Sequence, residues 1–113
     1  MKKVHYSEIE KQIPDEKGIK DVTIRWLITK DDGAENFAMR LFEVQPSGFT
    51  PLHQHDWEHE VFILDGIGEL RNKEKATSFR PGDVVFVPSN EWHQFVNTGS
   101  EVVKFLCLIA YKN

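Results

Sequence analysis

Apolar positions along the chain come in short runs with a period of two. In "DVTIRWLITK", Val22, Ile24, Trp26 and Ile28 alternate with Thr23, Arg25 and Thr29. "NFAMRLFEV", "EVFIL", "DVVFV" and "EVVKFLCLIAY" are similarly rich in β-branched and aromatic residues, and all read as strands. Turn chemistry separates them: "DDG", "PSG", "DGIG", "RPGD", "PSNE" and "NTGS". No apolar stripe of helical period persists. The best helix candidate is a turn or two around "YSEIEKQI", with Ser7 as its cap. Short strands repeating about every 8–12 residues predict an all-β sandwich or barrel. No linker, internal repeat or low-complexity segment interrupts the pattern.

Composition narrows the class. A length of 113 residues is room for one domain, and 40% hydrophobic with 12% aromatic residues supplies a core. The net charge of −4 argues against nucleic-acid partners and against anionic membrane surfaces. The one cysteine, Cys107, excludes a disulfide within the chain, so a reducing, cytoplasmic setting is expected. No apolar h-region follows the N-terminal lysines. The most apolar run, "FLCLIAY", is far shorter than the roughly 20 residues that span a bilayer.

One stretch stands apart. "HQHDWEHE", residues 53–60, holds three of the five histidines. If it is extended, His53, His55 and His59 share one face, while Gln54, Glu58 and Glu60 share the other. A bulge at Asp56–Trp57 would break that parity. Neutral imidazole is the commonest ligand for divalent transition metals, and an H-x-H pair on one strand face brings two nitrogens to one ion. The competing reading is a solvated polar loop crowded with histidines.

Downstream, "GDVVFVPSNEWHQFVN" has a strand, a proline turn and a histidine entering another strand. Here the sequence resembles the cupin family. Gly82, Pro88, His93 and Asn97 match the second cupin motif at its spacing. Asn90 stands where that motif has glycine; a positive φ is expected there, which asparagine tolerates better than most residues. The first motif is matched by His53 and His55, with Gly48 one residue closer than usual. Its glutamate position is ambiguous: Glu60 and His59 both fall at permitted spacings. Parity selects His59. So does a closer resemblance of "HxHxWEHE", "NExH" and "FLCLI" to very small bacterial cupins in which four histidines hold the metal.

The resemblance implies a cupin-type jelly-roll β-barrel, an antiparallel double-stranded β-helix. The domain would occupy residues 1–113, with the barrel over about 20–111 and an N-terminal segment over 1–19. It implies one divalent transition metal held by His53, His55, His59 and His93. Manganese is the first choice by resemblance, with iron, nickel, copper and zinc as alternatives. Glu60 is the alternative ligand, or it orients a ligand imidazole, a role Glu58 would also fit. The odd-numbered face of the last strand, Phe105, Cys107 and Ile109, is expected to point inward near the metal. Phe95 and Phe105 are expected to wall a pocket, and Cys107 to be a buried small hydrophobe. Arg40 alternates with apolar residues: an inward guanidinium would hold a carboxylate, an outward one is surface. Trp57 and Trp92 are expected to pack outward, and His5 to be exposed.

The implied function is a metal-dependent oxidoreductase of the oxygenase type, dioxygenase-like, acting on a small organic substrate, in a homodimer. The alternatives are a metal-dependent isomerase or lyase, for which Glu60 is the one weak candidate base, and a non-catalytic cupin that binds a small ligand or a metal. The fold hosts all three, so it does not choose among them.

Overall fold

Alternating strands bend into one continuous antiparallel sheet in a computed structural model that describes residues 1–111. β1 (Lys20–Ile28), β2 (Phe37–Phe49), β3 (His59–Asp65), β4 (Gly68–Arg71), β5 (Ala76–Phe79), β6 (Val84–Val87), β7 (Gln94–Asn97) and β8 (Val103–Ala110) pair in the order β5-β4-β7-β2-β8-β3-β6, and β1 pairs with β2. The fold is all-β, a curled antiparallel sheet with no α-helix among the described residues.

β2 is the longest strand and joins the two halves of the sheet. Residues 37–44 pair with β8, and Phe49 pairs with β7. Between them Ser47 takes φ 68. Gly48 allows the bend, because a Cβ there would lie 2.6 Å from the Lys20 carbonyl oxygen and 2.8 Å from that of Gln45.

The interior is built from the inward half of each alternation. Val22, Val44, Val61, Ile63, Phe79, Phe95, Val103, Phe105 and Cys107 form one buried cluster. Stacked rings run through it, with centroids 5.1 Å apart for Phe42–Phe105 and 4.5 Å for Phe95–Phe105. In β1 the pattern holds only in part. Val22 and Ile24 are buried, but Trp26 and Ile28 are both 38% exposed, because the register slips between them and the strand runs past the core.

The helical expectation near the N-terminus is corrected. Only a single 3-10 turn forms, Tyr6–Glu8, and its cap is His5, not Ser7. The exposed His5 side chain accepts the Ser7 amide, and Glu8 closes a capping box. No apolar face follows that would hold a longer helix against the barrel.

Candidate metal centre

Two chain segments are tied together at one end of the barrel. His53 and His93 form an isolated antiparallel bridge, with each amide donating to the other's carbonyl at 3.2 and 2.9 Å. The Asn90 amide donates to the His55 carbonyl at 2.7 Å, and Asn90 takes φ 68, as its place in the motif predicts. A few residues on, the buried Asn97 side chain donates to the carbonyls of Val44 and Glu101 and accepts the Gly99 amide. The Thr50 hydroxyl accepts the Phe95 amide at 2.8 Å. These bonds set the backbone from which the imidazoles project.

Residues 53–58 lie outside the regular ladder and bend at Asp56–Trp57, yet the parity survives. Odd positions from His53 to His59 are half-buried or buried, and even positions are exposed. His53, His55 and His93 offer ligand atoms that all lie within 4.8 Å of one another. The His59 ring centroid lies 4.6 Å from that of His55 and 5.0 Å from that of His93, and the Nε2 atoms of His55 and His59 are 3.2 Å apart. That is about the separation of neighbouring donors around one ion with metal–nitrogen bonds of about 2.1 Å. His93 donates Nδ1–H to the Glu91 carbonyl at 2.9 Å, which leaves its Nε2 lone pair facing the cluster.

Electrostatics favour neutral rings. Burial holds all four histidines below the ordinary imidazole value. His53 is lowered to about 4 and His59 to about 3, with the neighbouring imidazoles and the Arg40 guanidinium adding to the effect of burial. At neutral pH these are uncharged donors, the form a metal requires. The donor set and its spacing fit a divalent transition ion.

Around the imidazoles lies a cavity of about 80 Å³, and Arg40, Phe95, Phe105 and Cys107 all line it. Arg40 is buried and inward. Its Nη2 donates to Cys107 Sγ at 3.0 Å, and its Nε has no hydrogen-bond partner. Burial pushes the Cys107 thiol up, and the guanidinium beside it opposes that shift.

Glu60 is exposed on the other side of the sheet, where it lines a separate groove with Phe62 and Phe86. Glu58 is exposed as well. Trp57 is a correction. Its odd number puts it on the face of the imidazoles; it lines the cavity and stacks on His55 with centroids 4.0 Å apart and planes 2° apart. Trp92 faces elsewhere and carries the Lys73 ammonium 3.8 Å from its ring centroid.

Glu16 is the cavity residue that motif reasoning missed. The segment before β1 crosses the cavity mouth and brings Pro14, Glu16 and Ile19 to its wall. A Glu16 oxygen lies 3.8 Å from His53 Nδ1, and burial raises its carboxyl while Arg40 pulls the other way. It sits 37 positions before His53, so no local spacing connects the two.

Comparison with known proteins extends this picture. The family model described as the cupin domain matches residues 40–109. A solved structure of the polyketide cyclase RemF from Streptomyces resistomycificus superposes with a TM-score of 0.93 at 37% identity, over 99% of this chain and 80% of that one. The oxalate-binding protein of Thermotoga maritima is 34% identical over 93 residues, 79% of this chain and 75% of its own length. The 1-methylthio-D-xylulose 5-phosphate methylsulfurylase of Rhodospirillum rubrum is 37% identical over 71 residues, 63% of this chain. The match covers only 46% of that relative's length, about half of it.

Proposed function

The chain belongs to the cupin family, and from that premise we propose that it is a metal-dependent enzyme acting on a small carbonyl compound that carries a negative charge. The observation that supports this most is the convergence of four neutral imidazoles and a buried guanidinium on one aromatic-walled cavity. His53, His55, His59 and His93 are the residues that would hold the ion. The His59 ring enters the cavity while Glu60 lies outside it, which supports His59 as the fourth ligand. A divalent ion held there would supply Lewis acidity toward a carbonyl oxygen of the substrate.

The other groups act on the substrate. Arg40 presents guanidinium N–H donors to a carboxylate or enolate oxygen. Phe42, Phe95, Phe105 and Trp57 pack against a flat apolar body and keep water from it. Glu16 at the mouth is the carboxylate placed to accept or return a proton at a carbon or hydroxyl of the bound molecule. That residue supports the isomerase, lyase or cyclase class over oxidation, since such reactions need a base. The cyclase named among the similar structures, over almost the whole chain, supports the same class.

Oxidation remains the second reading. A redox-active ion held by four neutral imidazoles would keep its full charge and could bind dioxygen or peroxide beside the substrate. Manganese or iron would serve that chemistry, and zinc would serve the first. Zinc-loaded protein assayed against a panel of small keto acids and polycarbonyl compounds separates the two. Turnover with zinc and no oxygen uptake supports the proposal. Turnover only with a redox-active ion and oxygen uptake favours the second reading. Tight binding of one compound with no turnover would make the protein a binding module and end both.

The protein acts as a homodimer in the cytoplasm. The outer face of β3 and β6 supports the first: Phe62, Leu64, Val84 and Phe86 are 44%, 40%, 76% and 59% exposed. A free, buried cysteine supports the second. Among the described residues no helix is long and apolar enough to cross a membrane.

A further inference from the structure

We propose that Cys107 is a positioning residue for the metal centre: its sulfur accepts the Nδ1–H of His59 and so holds that ring with Nε2 turned to the ion. The inference rests on His59 being a ligand and goes beyond it by assigning what fixes the ring.

Three buried groups from three adjacent strands meet at one point. Arg40 and Cys107 stand directly opposite each other on β2 and β8, and Cys107 stands opposite Val61 on β3. His59 lies two residues before Val61, so it reaches the same spot diagonally. Sγ is 3.0 Å from Arg40 Nη2 and 3.2 Å from His59 Nδ1, and Nη2 is 3.3 Å from Nδ1. Arg40, His59 and Cys107 are 9%, 7% and 3% exposed, which leaves little room for water to stand in for a missing partner.

Hydrogen-bond bookkeeping then decides the tautomer. A guanidinium only donates. If Nδ1 of His59 is bare, it accepts from Arg40 and the proton sits on Nε2, which cannot then bind an ion. If Nε2 binds the ion, Nδ1 carries a hydrogen that faces a second donor in Arg40. Sulfur is the acceptor within reach that both N–H groups can share. Without it, the arginine favours the tautomer that does not ligate. The thiol therefore turns a donor–donor conflict into a bridge, and it keeps the guanidinium beside the ligand sphere at the same time.

The test uses the full chain and zinc alone. Chelator competition is run on the unchanged protein, Cys107→Ala, Cys107→Ser and His59→Ala, beside the absorption spectrum of each with cobalt(II). Alanine at 107 is expected to weaken zinc binding about 10- to 100-fold, the usual cost of losing a partner that orients a ligand. Serine, whose hydroxyl also accepts, is expected to recover most of the loss. Alanine binding zinc as tightly as the unchanged protein would overturn the proposal. So would serine as weak as alanine, which would mark a packing effect. Nitrogen NMR of the zinc-loaded unchanged protein needs no variant to fold: His59 with hydrogen on Nδ1 supports the proposal, and zinc on Nδ1 overturns it. Failure of the underlying reading looks different, because His59→Ala would then bind zinc as well as the unchanged protein does.

Discussion

At the scale of single residues, protons and the proposed metal compete for the same lone pairs. Burial lowers His53 to about 4 and His59 to about 3 from an ordinary 6.5. Below about pH 6.5 the unfolded chain takes up protons that the folded, metal-free protein refuses. The metal-free protein is therefore expected to be most stable above that pH and to weaken as pH falls toward about 4. Each of these two histidines contributes a slope of at most about 1.4 kcal/mol per pH unit. Thermal melts between pH 7.5 and 4.5 measure it, and a midpoint flat across that window would contradict the buried, neutral assignment. The choice of fourth ligand is checked by a pair of variants. His59→Ala should lower metal affinity more than about 100-fold, a larger loss than removal of an orienting partner. Glu60→Ala should leave it within about 3-fold, since Glu60 is exposed on the other face. A calorimetric titration in which the glutamate variant loses the metal would reverse the assignment.

At the scale of elements, the turn between β6 and β7 and the bend in β2 carry the precision of the site. Asn90 at φ 68 predicts that Asn90→Gly is close to neutral, while Asn90→Val costs about 1–2 kcal/mol because a β-branched residue clashes in that conformation. Denaturant unfolding of the two variants decides this, and equal stabilities would remove the conformational argument. Asn97→Ala strips partners from two carbonyls and one amide around a buried position, and should cost about 2–3 kcal/mol. Much of this was legible in advance. The period-two runs located β1, the first part of β2, β3, β6 and β8, though not β4 or β5, and the parity of residues 53–59 carried the imidazole face through a segment that is not a regular strand. The same parity holds for Trp57, whose odd number turns its ring inward with the imidazoles. Glu16 was not legible, because the segment carrying it is placed by tertiary contacts, including the Gln12–Ile24 bridge, and no periodicity marks it. The inward aim of Arg40 was equally open until register set it opposite Cys107.

At the scale of the molecule, the inside and the outside of the barrel differ in character. Its interior is largely apolar, with the imidazoles, guanidinium and thiol gathered in one place and Thr50 and Asn97 as further buried polar groups. Its outside carries an apolar face that an isolated barrel leaves in water. Phe86→Glu combined with Val84→Glu should shift the protein from dimer to monomer in light scattering and leave metal content unchanged, since the two surfaces share no ligand residue. A protein that is monomeric before any substitution would dispose of that face as an interface. The proposed function requires a single ion held by imidazoles from two segments of the chain. X-ray absorption at the metal edge of the loaded protein tests that most directly. Outer-shell scattering from four imidazoles, falling to three in His59→Ala, is the expected result. A site with three or fewer imidazoles in the unchanged protein, or one completed by a protein carboxylate, would contradict it.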